Sequence, residues 1–252
     1  MKLFAVFAFL SLSFFAAENS FGRNANNENP FIKVFTNPTK LDQAAKCSPE
    51  NLDATRFSNK FADKDKVKVC EGMDLFINHS RLAANAAAPQ VSDQMREVWK
   101  TFIETKTRFM PLPKEQENSM FAAASAFPSG DLYRAAVYVS AQKADNELFF
   151  YIFWHELQHV YDIKQAWEKH ERIPNYSLEF NGFYFASELA EAYRPKNWDA
   201  RQSGFWRDEW KNLSAEQKRT LRAKAIDDFM NKSPVYADTR DRNQAQYDFT
   251  NR

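Results

Sequence analysis

The residues of this chain with the clearest chemical potential form one short motif, H-E-x-x-H, at residues 155–159. Two histidines four residues apart lie one turn apart on the same helix face, so both imidazoles can reach one metal ion. Zn²⁺ accepts such nitrogen ligands in a tetrahedral set, and catalytic sites leave one position to water. Glu156 borders the same site and can accept a proton from that water. The motif predicts a zinc centre with His155 and His159 as ligands and Glu156 as general base.

A third protein ligand must come from elsewhere in the chain. The metzincin pattern is excluded because the position six residues beyond the motif is not a histidine. His170 and three downstream carboxylates remain. At 100° per residue, Glu179 lies on a stripe of mostly small residues, whereas Glu188 and Glu191 share another face with Arg194, which reads as a solvated, salt-bridged edge. We predict Glu179 as the third ligand, with Glu188 as the runner-up.

A tetrahedral intermediate, formed when a metal-activated water attacks a carbonyl, also needs a group that stabilises its developing oxyanion. Tyr193, His170 and Tyr176 are the candidates for this catalytic role. Each has a structural alternative: helix-end packing for Tyr193, an exposed position in a charged segment for His170, and a loop anchor for Tyr176. His79 lies in another segment, and we interpret it as a surface residue.

The elements that must position the motif can be read from hydrophobic periodicity. Residues 147–167 are apolar on nearly every side, which predicts a buried central helix capped by Asp145 or Asn146. A second apolar helix is predicted from residue 177 to 193, ended by Pro195. The remaining predictions are a helix over 92–110, a loop over 111–130, a strand over 132–140, and a helix from a Ser214–Gln217 capping box to about residue 231.

Composition excludes several other classes of protein. The chain has 252 residues, about one domain, and only five glycines, none close enough to another to form a nucleotide-binding loop. Lys and Arg number 34 against 33 Asp and Glu, so no basic excess suggests a nucleic-acid partner.

The N-terminus has the composition of an export signal. Residues 1–17 carry Lys2, an apolar stretch and two terminal alanines, which is typical of a secretory signal peptide. We therefore expect a secreted or periplasmic protein with no membrane association after cleavage, and a disulfide between Cys47 and Cys70. The predicted organisation is a signal peptide at 1–17, a polar lead at 18–46, an N-terminal helical region at 47–131, a catalytic core with a C-terminal helix at 132–231, and a polar, frayed tail at 232–252.

The chain resembles the gluzincins, zinc metallopeptidases that pair an H-E-x-x-H helix with a glutamate on a following helix. The likeness rests on HELQH at 155–159 and EFNGFYFASEL at 179–189. It implies a mainly helical α+β fold, in which a small twisted sheet packs on the motif helix of a zincin-like core. It also implies the same three zinc ligands and the same base. Gln158 stands where familiar families often have glycine, a variable position.

The sequence leaves three functions open. The leading hypothesis is an exported zinc metallopeptidase that hydrolyses peptide bonds in a protein or peptide substrate through a zinc-activated water and Glu156. The first alternative is a secreted, zincin-like protein that binds a metal or a partner without hydrolysis. The second is an exported interaction module in which the motif arose by chance.

Overall fold

The computed structural model describes residues 60–117, 122–128, 132–143, 148–194, 208–234, 236 and 244–251. Over these residues the chain is an α+β protein of mainly helical content, which confirms the expected coarse class. Several sequence predictions lie outside the described residues: the signal peptide, the polar lead, Cys47, the caps Asp145 and Asn146, and Pro195.

Five α-helices occur in the described part of the chain. They are α1 (Asp63–Ala86), α2 (Pro89–Glu104), α3 (Leu148–Glu168), α4 (Asn175–Ala192) and α5 (Ala215–Lys232). The capping box of α5 is confirmed: the Gln217 N–H donates to the Ser214 hydroxyl at 3.2 Å, and the Ser214 N–H donates to the Gln217 side chain at 2.9 Å. The central helix and the helix after it also form, close to their predicted bounds.

A three-stranded sheet lies beside α3. Its strands are β1 (Arg108–Pro111), β2 (Ala122–Ala126) and β3 (Ala135–Val139), in the order β1-β3-β2. β1 runs parallel to β3 and β2 antiparallel to it, with Phe109 and Ala124 both opposite Val137. The predicted strand over 132–140 is therefore confirmed at its centre, and it is the middle strand of this sheet.

Two predictions before this strand were wrong. The helix expected over 92–110 ends at Glu104, because the Thr105 hydroxyl bonds back to the Thr101 carbonyl at 2.8 Å and Lys106 turns the chain with φ 52°. The loop expected over 111–130 contains β2. Alanine has little intrinsic preference for strands, so pairing with β3 rather than local propensity makes this segment extended.

The C-terminal segment is also more ordered than predicted. β4 (Arg172–Ile173) pairs antiparallel with β5 (Tyr247–Asp248), inside the tail that was expected to be frayed. The Tyr247 hydroxyl accepts a hydrogen bond from the Ala126 N–H at 3.1 Å. This end of the chain therefore packs back onto the central sheet.

Aromatic packing fixes α3 at the centre of the molecule. The helix packs against α1, α2, α4 and β2, which explains why its sequence is apolar on nearly every side. Phe153 lies 4.3 Å from Phe109 and 4.7 Å from Phe76 between ring centroids, and Trp154 lies 5.5 Å from Phe76. Each buried ring stabilises the fold by about 1.5–3 kcal/mol relative to an exposed one. Polar motif residues are thus held on a rigid, apolar helix.

Two sequence predictions concern segments that the structure describes only in part. Cys70 is buried in α1, but its predicted partner Cys47 lies outside the described residues, so the disulfide stays a prediction. Among the described helices, none has the length and apolar character needed to cross a membrane.

Candidate metal centre

Helices α3 and α4 bring two histidines and one glutamate together. His155 and His159 are both buried, each with 7% of its surface exposed. The Nε2 atom of His155 lies 3.3 Å from Oε2 of Glu179, and Nε2 of His159 lies 3.7 Å from Oε1 of the same carboxylate. One ligand atom from each of the three residues lies within 4.8 Å of the other two, so the group could hold a metal ion.

The close approach of α4 to α3 depends on Gly182. A Cβ built at this position would lie 2.7 Å from both Nδ1 and Cε1 of His155, closer than real Cβ contacts allow. The Gly182 backbone also hydrogen-bonds His155. Such a bond on one ring nitrogen orients the imidazole and leaves the other nitrogen for a ligand. Gly182 therefore both admits the ring and directs it towards Glu179.

The charges of the site act against the effect of burial. Burial alone lowers the pKa of His155, but the hydrogen bond and the negative charge of Glu179 outweigh it, and the pKa is raised. Burial raises the pKa of Glu179, yet the bond from His155 and the charge of His159 outweigh this and lower it. Burial and repulsion from His155 lower the pKa of His159 to about 4. The directions of these shifts favour the charged forms of His155 and Glu179 and the neutral form of His159.

Glu156 is on α3, and its side chain contacts the backbone of β2. Burial raises the pKa of its carboxyl to about 7, with His155 lowering it and Glu179 raising it. The backbone N–H of Ala124 donates a hydrogen bond to the carboxylate and fixes its direction. A general base works best when its pKa lies near the working pH. Glu156 has both the position and the basicity for proton transfer.

The three ligand residues fit a small tetrahedral cation. Two imidazole nitrogens and one carboxylate form a donor set known from catalytic zinc sites. Ligands at 2.0–2.2 Å from a tetrahedral ion are about 3.3–3.6 Å from one another. The separations of 3.3 and 3.7 Å between imidazole and carboxylate atoms are close to this spacing. These two distances run to different oxygens of Glu179, and one ligand atom from each residue lies within 4.8 Å of the other two. The three residues could therefore hold such an ion once their side chains draw closer together.

A polar network behind the ligands ties three helices together. Asp162 accepts a hydrogen bond from Gln158 at 2.8 Å and from Asn181 on α4 at 3.0 Å. Gln158 accepts one in turn from Gln94 on α2 at 3.0 Å. Asn181 lies two residues after Glu179, so the network fixes the α4 segment that carries the carboxylate ligand. Gln158, a variable position in the motif, here has a structural role.

The three predicted oxyanion-stabilising residues lie outside this group. His170 is exposed at the end of α3, with a φ of 55°. The Tyr176 hydroxyl donates to Asp227 on α5 at 2.5 Å. Tyr193 follows the last residue of α4, roughly 20 Å along the helix axis from Glu179. Its hydroxyl lies 2.8 Å from Nδ1 of His79 on α1. His79 itself is buried, so its predicted surface position was wrong.

The runner-up ligand Glu188 belongs to a separate ion-pair network. It lies 3.5 Å from the buried guanidinium of Arg222 on α5, and Glu191 contacts both Arg222 and Lys218. The predicted edge is salt-bridged, as expected, but its partners are Arg222 and Lys218 of α5, which partly covers this face of α4. Helical phase correctly separated these carboxylates from Glu179, but it contained no information about the partner helix.

Sequence reasoning missed Tyr236, whose phenol interacts electrostatically with Glu179 and Glu156 and whose ring contacts Phe183. Burial raises the pKa of its phenol above the usual range, and the charges of Glu179 and Glu156 raise it further. Its ring lies 5.2 Å from that of Phe183, which in turn lies 4.5 Å from that of His155. No local signal could have found this residue, since it lies far downstream in a polar segment.

Comparison with other proteins found no relative of this chain. No protein-family model matches the chain, and neither a curated protein nor a solved structure shows significant similarity to it. The functional argument therefore depends on the geometry of the site.

Proposed function

We propose that this protein is an exported zinc metallopeptidase with a zincin-like core. The observation that carries the proposal is the convergence of His155, His159 and Glu179, with imidazole-to-carboxylate distances of 3.3 and 3.7 Å. Metal-assisted hydrolysis needs metal ligands with a general base beside them, and Glu156 directly follows the first of the two histidines. The packing of a small sheet against the motif helix also agrees with the proposed core.

Glu156 moves the proton in the proposed reaction. When bound, zinc supplies a Lewis acid that polarises a carbonyl oxygen and makes water more acidic. Glu156 takes a proton from the attacking water and returns it to the leaving amine. The Ala124 N–H orients the carboxylate, and burial raises the pKa of Glu156, which makes it a better base.

Tyr236 is the candidate for stabilising the oxyanion, because its phenol interacts with the charges of Glu179 and Glu156. A tyrosine hydroxyl is protonated at neutral pH and can donate a hydrogen bond to a developing oxyanion. This residue takes the role for which Tyr193, His170 and Tyr176 were the sequence candidates.

The variant Glu156→Gln tests the assigned base. It keeps the size of the side chain and removes its basicity, so we expect about one bound zinc per chain and a loss of roughly 100-fold or more in kcat. Zinc content is measured by atomic spectroscopy, and cleavage with a mixed peptide library, with and without a chelator. Glu97→Gln is the control, because Glu97 is exposed on α2.

Three results would contradict the proposal. Less than about 0.1 zinc per chain after mild purification would remove the metal site. Unchanged cleavage by Glu156→Gln would refute the base. Full zinc content without any chelator-sensitive cleavage would favour the non-catalytic, metal-binding alternative.

A further inference from the structure

Three aromatic side chains form a continuous cluster beside the candidate metal centre. Phe183, Phe229 and Tyr236 contact one another, with ring centroids 5.2 to 5.6 Å apart. We call this cluster the aromatic wall. Phe183 joins it to the centre, since its ring meets the His155 ring at 4.5 Å in an edge-on arrangement.

The aromatic wall is only partly covered by the rest of the protein. Phe229 keeps 40% of its surface exposed, and Phe183 and Tyr236 are half-buried. A surface groove of about 410 Å³ begins at Phe229 and is lined, among the described residues, by Asp228, Lys232 and Ser233 as well. Volumes of about 300–1,000 Å³ are usual for small-ligand sites. Phe229 therefore forms the exposed end of the aromatic wall, and Phe183 links it to the His155 ring.

The chemistry of this surface favours an uncharged, apolar occupant. The rim residues Asp228 and Lys232 carry opposite charges, so neither sign of ligand is favoured by a net local charge. Aromatic rings gain most from contact with other apolar side chains, above all in edge-on or offset geometry. Single exposed hydrophobic residues are ordinary on protein surfaces, but Phe229 continues a cluster that reaches a histidine of the site.

We propose that the aromatic wall is a substrate subsite that binds a large apolar side chain of a peptide, within one or two residues of the bond that is cut. The inference rests on the proposed peptidase function and specifies its substrate class. An extended peptide advances about 3.3–3.6 Å per residue. A bond held at His155 and His159 therefore places the side chains of its neighbours within reach of Phe183 and Phe229.

Phe229→Ala is the decisive variant. Substrates are fluorogenic peptides that differ only in having Phe or Ala at each position flanking the cleaved bond. We expect the wild-type protein to prefer Phe at one position by about 10–100-fold in kcat/KM, as apolar contacts allow. Phe229→Ala should reduce this ratio by about fivefold or more, with peptides that contain Ala at that position cleaved as before.

Leu221→Ala is the matched control. Leu221 also lies on α5 and is 37% exposed, so its truncation removes similar surface without touching the aromatic wall. We expect it to keep the wild-type preference. Phe229→Leu, which stays apolar but loses the ring, should give an intermediate ratio. It serves as the second test of the subsite if Phe229→Ala does not fold normally. Thermal unfolding of all three variants reports the folded fraction.

Binding without cleavage separates this inference from the proposed function. The Glu156→Gln protein, loaded with zinc, is titrated calorimetrically with the same Phe and Ala peptides. If Glu156→Gln binds the Phe peptide more tightly than the Ala peptide, and the double variant with Phe229→Ala does not, the subsite is supported. This holds even if the wild-type protein cleaves nothing. Cleavage without a Phe preference, or a preference unchanged by Phe229→Ala, overturns the subsite and leaves the peptidase proposal standing. Absence of both cleavage and selective binding overturns both.

Discussion

At the scale of single residues, the candidate site is a balance between burial and charge. Burial opposes ionisation of His155, Glu156 and Glu179. The contact between His155 and Glu179 outweighs burial for these two groups, whereas the pKa of Glu156 stays raised and Glu179 raises it further. A cation bound between His155 and Glu179 would be attracted by the negative carboxylate and could accept the imidazole nitrogen as a ligand.

Removal of the carboxylate ligand should abolish tight metal binding. We expect Glu179→Gln to weaken zinc binding by at least about 100-fold, more than the loss of an outer hydrogen-bond partner costs. Competition with a chromophoric chelator measures the affinity. Glu188→Gln is the control on the same helix, and we expect its zinc affinity to remain within about threefold of wild type. Equal losses in the two variants would contradict the assignment of Glu179.

Zinc binding should weaken as the solution becomes more acidic. The contact with Glu179 raises the pKa of His155, and this imidazole must be deprotonated to bind zinc. Metal binding displaces protons, so low pH favours the metal-free form, and affinity should fall about tenfold per pH unit for each proton displaced. Calorimetry between pH 8 and 6, in buffers of different ionisation enthalpy, measures both affinity and proton release. A pH-independent affinity would contradict this.

At the scale of elements, the contact between α3 and α4 determines the geometry of the site. Gly182 lets the His155 ring approach the backbone of α4. The hydrogen bond between Asp162 of α3 and Asn181 of α4 also links the two helices. The sheet supports the opposite side, where the Ala124 N–H of β2 orients Glu156. Each chemically active side chain is thus held by a neighbour on a different element.

Gly182→Ala should disturb the site more than it disturbs the helix. Alanine is the better helix former by about 1 kcal/mol, so an effect of propensity alone would stabilise the protein. The new Cβ would meet the His155 ring at 2.7 Å, which forces the ring or the helix to move. We expect a net loss of about 1–3 kcal/mol in the free energy of unfolding and at least tenfold weaker zinc binding. Urea denaturation and chelator competition measure the two effects, and a stabilised variant with normal zinc affinity would refute the close packing.

At the scale of the whole molecule, the C-terminal segments close over the core and the site. The α5 helix covers α4 through the buried Arg222, and Tyr236 beyond it packs against Phe183 of α4. Further along, β5 pairs with β4, and Tyr247 reaches the edge strand β2. Segments that look like a polar tail therefore complete the fold.

Tyr247 should contribute measurably to the stability of the whole protein. Its ring is 9% exposed, so Tyr247→Ala should lower the free energy of unfolding by about 3–5 kcal/mol, as for other buried aromatic residues. Tyr247→Phe removes only the hydroxyl that pairs with the Ala126 N–H, and should cost about 1–3 kcal/mol. Leu132→Ala, at a residue 60% exposed, should change it by less than about 0.5 kcal/mol. Denaturant titrations measure all three, and a tail that does not pack would leave both Tyr247 variants at wild-type stability.

The sequence by itself determined the local features of this protein. Helical periodicity was enough to place His155 and His159 on one face, to prefer Glu179 over Glu188, and to find the central helix and the α5 cap. These features depend on residues within a few turns of one another, and the period of 3.6 residues encodes them directly.

Only the tertiary structure decided which distant segments meet. The pairing of the alanine-rich β2 with β3, the burial of His79 against Tyr193, the partner of Glu188 and the approach of Tyr236 to Glu179 left no local pattern. Each depends on contacts between residues far apart in sequence, and such contacts outweigh intrinsic propensity when packing is dense. The candidate ligands could therefore be named from the sequence. The orientation of Glu156, the role proposed for Tyr236 and the aromatic wall could be recognised only in the tertiary structure.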